Sequence, residues 1–154
     1  MPMKHDISSI SFLISIVHAH TTSFLKKRLS DEGLEKLATS HGHILFQLAV
    51  YEELSMSEVA RLVYKDKSTT TALCKKLEEI GLIERKQSKQ DKRQTKIRLS
   101  EKGRQYEDSL TKISQELTET AFLGFSEAEK KEMIEKLDAI KANFQNLEGE
   151  PKNS

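Results

Sequence analysis

A mainly α fold with a small β-wing is what the sequence predicts, and three observations carry it. Apolar residues recur at three- and four-residue steps over most of the chain. Two short helical stretches stand close together between residues 55 and 81, each opened by a capping side chain. Directly after them the pattern turns to near-alternation on both sides of a wholly polar loop. Together these describe a winged helix-turn-helix lobe with further helices before and after it.

A chain of 154 residues fits one domain, or two small lobes on a shared helical framework. Hydrophobic residues make up 36% and charged residues 32%, which predicts an ordered, soluble, helix-rich protein. Proline occurs only at positions 2 and 151, so nothing in the interior interrupts long helices. No run approaches the roughly 20 apolar residues that span a bilayer, and no membrane partner is expected. The segment Met1 to Asp6 lacks the apolar core of a signal peptide. The single cysteine, Cys74, cannot form an internal disulfide, which suits the cytoplasm.

The net charge of +1 hides a segregation. From Arg61 to Arg104 there are 14 Lys or Arg against 6 Asp or Glu, a net of +8, which leaves −7 for the rest of the chain. One lobe is therefore suited to a polyanion.

Taken in order, Ile10, Leu13, Ile14, Val17, Phe24 and Leu25 place one apolar stripe on a helix from about Asp6 to Leu29, which Ser30-Asp31-Glu32-Gly33 ends. A second helix starts near Thr39 or Ser40, either of which can cap it, and buries Ile44, Leu45 and Leu48. Ser55-Met56-Ser57-Glu58 is a capping box opening a short helix with Val59, Ala60, Leu62 and Val63 inside. Tyr64-Lys65-Asp66 makes a turn, and Asp66 caps the next helix, Lys67 to Ile80, which Gly81 ends. This is helix-turn-helix spacing. Leu82 to Lys86 and Thr95 to Leu99 then read as the strands of a wing, with Gln87 to Gln94 as its charged tip. Ser100 caps a helix carrying Tyr106, Leu110, Ile113, Leu117 and Ala121. A second capping box, Ser126-Glu127-Ala128-Glu129, opens a last helix with Met133, Ile134, Leu137, Ile140, Phe144 and Leu147. The outer stripes need partners, and a second copy of the chain supplies them, so a homodimer is expected.

Ser57 to Ala60, Asp66 to Thr71, Leu77 to Arg85, Asp91-Lys92-Arg93 and Leu99 to Arg104 stand in an order that resembles the MarR family of bacterial transcriptional regulators. The resemblance implies an N-terminal dimerisation helix (1–36), a winged helix-turn-helix DNA-binding lobe (37–104), C-terminal dimerisation helices (105–148) and a tail (149–154). It departs from the family at Ala72, where Arg is frequent, and at His41-Gly42-His43, where a Gln is common.

In such a lobe the second helix enters the major groove by its N-terminal end. That assigns Lys67, Ser68, Thr69, Thr71 and Ala72 to the base edges, with Lys75 and Lys76 on phosphates one turn on. Small hydroxyls and a methyl suit hydrogen bonds to bases and contact with thymine methyls. Leu73, Leu77 and Thr70 point inward. The resemblance puts Arg93 of the wing in the minor groove, with Asp91 bracing the tip and Lys86, Lys89, Lys92 and Arg98 on phosphates. It further implies a pseudo-palindromic operator, a repressor's role, a small-molecule effector and no cofactor.

Other chemistries fare worse. Lys67-Ser68 resembles the end of a phosphate-binding loop, but Leu62 to Asp66 contains no glycine to cradle one. His18 with His41 or His43, and Glu107 or Asp108, is the weak metal candidate, although residues two apart on a helix point about 200° away from each other. Cys74 is the weak oxidant-sensing candidate and reads as a buried small hydrophobe. No catalytic set stands out, so no enzyme is expected. A winged-helix module that binds an acidic protein remains the rival, and apolar residues on the recognition face would be its mark.

Overall fold

The computed structural model describes residues 5–88, 90, 91 and 93–149. The chain divides into two compact units, Met1–Leu117 and Thr118–Ser154.

The first unit opens with a single 3-10 turn, Ile7–Ser9, that leads into α1 (Ile10–Asp31). Only the C-terminal third of α1 is buried, through Leu25 and Leu29. Ile10, Phe12, Ile14 and Val17 are exposed. The expectation of no membrane-length apolar run concerns contiguous residues, and average composition gives a different picture. By length and composition the helical stretch Ile7–Asp31 is long and apolar enough to cross a bilayer, a test that the core helices of soluble proteins also pass. Serine, threonine and histidine interrupt the run without adding charge, so the average stays high although no contiguous apolar stretch exists. The far end of the helix behaves as a core helix, with Arg28 Nε donating to Glu116 Oε2 at 2.8 Å.

Helix α2 (Thr39–Val50) carries His41, Gly42, Ile44, Leu45, Phe46 and Leu48 into the core. Neither Thr39 nor Ser40 caps it. Ala38 is the capping residue, and its amide donates to Nδ1 of His41 at 3.0 Å. An imidazole three residues on thus takes the part that a glutamate carboxylate plays in a capping box.

A two-residue strand, β1 (Leu54–Ser55), precedes α3 (Met56–Val63). Ser55 Oγ accepts the Glu58 amide at 3.1 Å while the Glu58 carboxylate accepts the Ser55 amide at 2.7 Å, so the capping box is closed in both directions. Helix α4 (Lys67–Glu79) follows, then β2 (Ile83–Gln87) and β3 (Thr95–Leu99). The three strands form one antiparallel sheet in the order β1-β3-β2, with Leu54 opposite Ile97 and Ile83 opposite Leu99. The hairpin was expected; β1 was not, because two residues show no period.

The helix expected from Ser100 onward is two. Ser100 caps only α5 (Glu101–Arg104), and α6 (Glu107–Ala121) begins afresh. Ser100 Oγ accepts the Gly103 amide at 3.0 Å and donates to the Gly81 carbonyl. This first turn is thereby pinned to the base of the wing, and the chain changes direction at Gln105 and Tyr106 to send Leu110 and Ile113 into the core.

One apolar cluster holds the unit together: Leu25 and Leu29 of α1, Ile44, Leu45 and Leu48 of α2, Val59 of α3, Leu77 of α4, Ile97 and Leu99 of β3, and Leu110 and Ile113 of α6.

The second unit contains the end of α6, a turn with Gly124 at φ +86° and α7 (Glu127–Glu148). The Ser126–Glu129 capping box is closed at 3.2 and 2.9 Å. No residue of α7 is buried, and Met133, Ile134, Leu137, Phe144 and Leu147 stand exposed along it.

Candidate nucleic-acid interface

Helices α3 and α4 pack on one another across the turn Tyr64-Lys65-Asp66. Tyr64 takes the left-handed backbone conformation, φ +55°, and the Lys65 amide reaches back to the Ala60 carbonyl at 3.1 Å. That closes α3 in the geometry glycine usually supplies. Asp66 then starts α4. Its carboxylate accepts the Thr69 amide at 2.7 Å and the Thr69 hydroxyl at 2.8 Å, and these bonds, the amide's first, hold its pKa below the ordinary value.

The inner face of α4 is Thr70, Cys74 and Leu77, all fully buried, with Leu73 half-buried. Lys67, Ser68, Thr69, Thr71, Ala72, Lys75 and Lys76 are all exposed. The structure thus collects on one outward surface the seven residues assigned from sequence. It also shows something the sequence did not. All three threonine hydroxyls turn back on the helix: Thr69 to the Asp66 carboxylate, Thr70 to the Asp66 carbonyl at 2.8 Å, and Thr71 to the Lys67 carbonyl at 2.7 Å.

At the wing tip, Asp91 Oδ1 accepts the Arg93 amide at 3.0 Å and its carbonyl accepts the Gln94 amide at 3.0 Å. Ser88 closes the other side by accepting the Gln90 and Asp91 amides. Arg93 is exposed. Lys89 and Lys92 lie outside the described residues. Arg98, expected on a phosphate, is engaged elsewhere: its Nε meets Glu84 at 2.7 Å and its Nη1 lies 3.8 Å from Glu53. It clamps β3 to its neighbours. Lys86 is half-buried on β2.

Two exposed cations at the helix-turn-helix corner, Arg61 in the last turn of α3 and Lys65 in the turn, were passed over. Their place beside a capped turn in a basic segment was the available signal.

Among the described residues none of the exposed large hydrophobic side chains lies on α4, β2 or β3, so the mark of the protein-binding rival is missing. Nor, among them, is any group of three or more His, Cys, Asp or Glu gathered to hold a metal. His41 is buried and occupied in capping α2. His43 and His18 are exposed, and partial burial, then Lys65 and His18, lower the pKa of His43. Burial raises the Cys74 thiol to about 11, so almost none is thiolate at neutral pH.

Comparison with known proteins agrees with this architecture. The MarR family model matches residues 37–95. The repressor IacR of Pseudomonas putida is 26% identical over 137 residues, covering 89% of this chain and 78% of that protein. Among solved structures, S. aureus MepR in complex with DNA has a TM-score of 0.73 at 22% identity, covering 91% of this chain and 99% of that one. Bordetella bronchiseptica BpsR, whose DNA binding is regulated by 6-hydroxynicotinic acid, has a TM-score of 0.70 at 17% identity, covering 91% and 98%. At such identities the solved structures speak to the fold, and the sequence matches speak to the lineage. Residues 37–95 are thus a MarR-family winged helix-turn-helix lobe, in a chain similar over most of its length to transcriptional regulators of that kind.

Proposed function

We propose that this protein is a homodimeric repressor that binds a pseudo-palindromic operator and is released by a small molecule. The observation that carries the reading is the outer face of α4: seven small, hydroxylic or cationic side chains with no large apolar group among them. Lys67, Ser68, Thr69, Thr71 and Ala72 face the base edges, and Lys75, Lys76, Arg61 and Lys65 take phosphates. Arg93 enters the minor groove, with Asp91 setting the tip and Lys89 and Lys92 adding charge beside it. Residues 1–36 and 105–148 form the dimer, which is supported by the exposed Ile10, Phe12, Ile14 and Val17 of α1 and Ile134, Leu137 and Phe144 of α7. The protein works in the cytoplasm, where its DNA is.

An effector has a candidate seat within the first unit. A cleft of about 320 Å³ is lined by Leu48 and Val50 of α2, Leu99 and Arg98 of β3, Arg104 of α5 and Glu107 of α6. That is the lower end of small-ligand volumes, and charge of both signs rims apolar residues. A ligand there touches the base of the wing and the start of α6 together, so it favours whichever relation of the two suits it.

The test is titration of purified protein into duplex from upstream of its own gene beside a scrambled duplex, at several salt concentrations. Arg93→Ala and Lys75→Ala are run in parallel. Selective binding that weakens steeply with salt, and further without Arg93, is the expected result. Equal, weak binding to both duplexes, extended to other promoters and unchanged by either substitution, overturns the reading.

A further inference from the structure

We infer that α4 reads its half-site through methyl groups rather than hydroxyl donors, and so selects thymine at the base pairs facing Thr71 and Ala72. The inference rests on the DNA-binding reading above and adds what that surface recognises.

A run of serine and threonine at the head of a recognition helix suggests hydrogen bonds to bases, but a hydroxyl has one proton to give. Here the threonine protons are already given. Thr69 is held by both oxygens of Asp66, one on its amide and one on its hydroxyl, and turning it outward would strip a hydrogen bond from that ionised carboxylate. Thr70 is buried and bonded to the Asp66 carbonyl. Thr71 is exposed, yet its hydroxyl is folded onto the Lys67 carbonyl, which leaves its methyl as the part not tied to the helix. Ala72, exposed beside it, has only a methyl to offer.

Guanine presents acceptors, O6 and N7, to the major groove and is read by donors. The stretch Thr69 to Ala72 has no free donor for it. Thymine alone carries a methyl in that groove, and apolar contact from threonine and alanine suits it. Ser68, exposed and with no described hydroxyl bond, is the one short donor in this turn, and it precedes the methyl pair. The helix therefore discriminates by shape and apolar contact over its centre, with the flexible amines of Lys67, Lys75 and Lys76 around it.

The experiment selects binding duplexes from a random pool with the full-length protein, then replaces each half-site thymine singly by deoxyuridine, which deletes only the methyl. Removing one buried methyl contact is expected to weaken binding about fourfold. Thr71→Ser keeps the hydroxyl bond and deletes the protein's methyl. It is expected to lose a similar factor on the thymine duplex and little more on the matching deoxyuridine duplex, because the contact is already gone. Its melting curve reports that the fold is intact. Selection of guanine at these positions, or a selected duplex that tolerates deoxyuridine everywhere, overturns the inference while leaving DNA binding standing. Failure to select any duplex overturns both.

Discussion

Gly103→Ala is expected to be among the most damaging single-methyl additions to this chain. Gly103 is buried in α5, and a Cβ built on it lands far inside contact distance of the Leu82 carbonyl oxygen, with the carbonyl carbon at 3.1 Å and Leu99 Cδ2 at 3.3 Å. The oxygen is backbone, so no rotamer change relieves it. It also accepts the Ser100 amide at 3.0 Å, and Ser100 in turn caps α5 and bonds the Gly81 carbonyl. Relief requires α5 to lift off the base of the wing. Overpacking of this kind costs about 1–3 kcal/mol, and loosening the Ser100 cap adds about 1 kcal/mol. For a protein of this size a total of about 2–4 kcal/mol lowers the melting midpoint by about 4–16 °C. The assay is a far-UV circular dichroism melt at fixed protein concentration, since a dimer's midpoint depends on it. Gly33→Ala is the control, because Gly33 sits at φ +83° with nothing within 4 Å of a built Cβ. It suffers only the backbone penalty, about 1–2 kcal/mol. A Gly103→Ala midpoint no lower than that of Gly33→Ala refutes the reasoning.

Three further outcomes are expected. Cys74, fully buried and with its thiol pushed to about 11, reacts with a thiol reagent only after unfolding, and peroxide leaves DNA binding unchanged; stoichiometric labelling of native protein within minutes contradicts this. Burial, then Lys76, lowers the pKa of His41, and burial, then Lys65 and His18, lowers that of His43, so the folded state disfavours the protonated rings. Stability is therefore full above the unfolded-state value of about 6.5 and declines as pH falls below it; melts from pH 7.5 to 5 show this fall, and the His41→Gln, His43→Gln double variant should flatten it. Phe12→Asp on the exposed stripe of α1 shifts the protein from dimer to monomer in sedimentation velocity without altering the core, and an unchanged sedimentation coefficient argues against α1 as interface.

Much of this molecule is legible in its sequence because its punctuation is local. The boxes Ser55–Glu58 and Ser126–Glu129 and the Asp66 cap each depend on residues three apart, and each closes as the spacing dictates. The outward set on α4 follows from helical period alone. What escaped depends on partners distant in the chain. Strand β1 exists because Leu54 finds Ile97 across the sheet, and two residues carry no period of their own. The break between α5 and α6 follows from Gly103 meeting Leu82, 21 positions earlier, which the helix-like run from Ser100 to Ala121 conceals. Arg98 read as a phosphate ligand because its charge was visible and its ties to Glu84 and Glu53 were not. The inward turn of the threonine hydroxyls is a choice of rotamer, and composition is silent on rotamers.

The position of β3 between its two neighbours bears on how such a protein lets go of DNA. With β2 paired along all five of its residues, β1 paired at Lys96 and Ile97, and Arg98 facing Glu84 and Glu53, β3 is a beam held from both sides at its middle rather than a hinged arm. Because β1 runs directly into α3, tilting β3 drags the first helix of the reading pair with it. A signal arriving at this strand is transmitted as torque on the whole reading head. On the effector reading proposed above, release comes from turning that head as one piece rather than from loosening the wing.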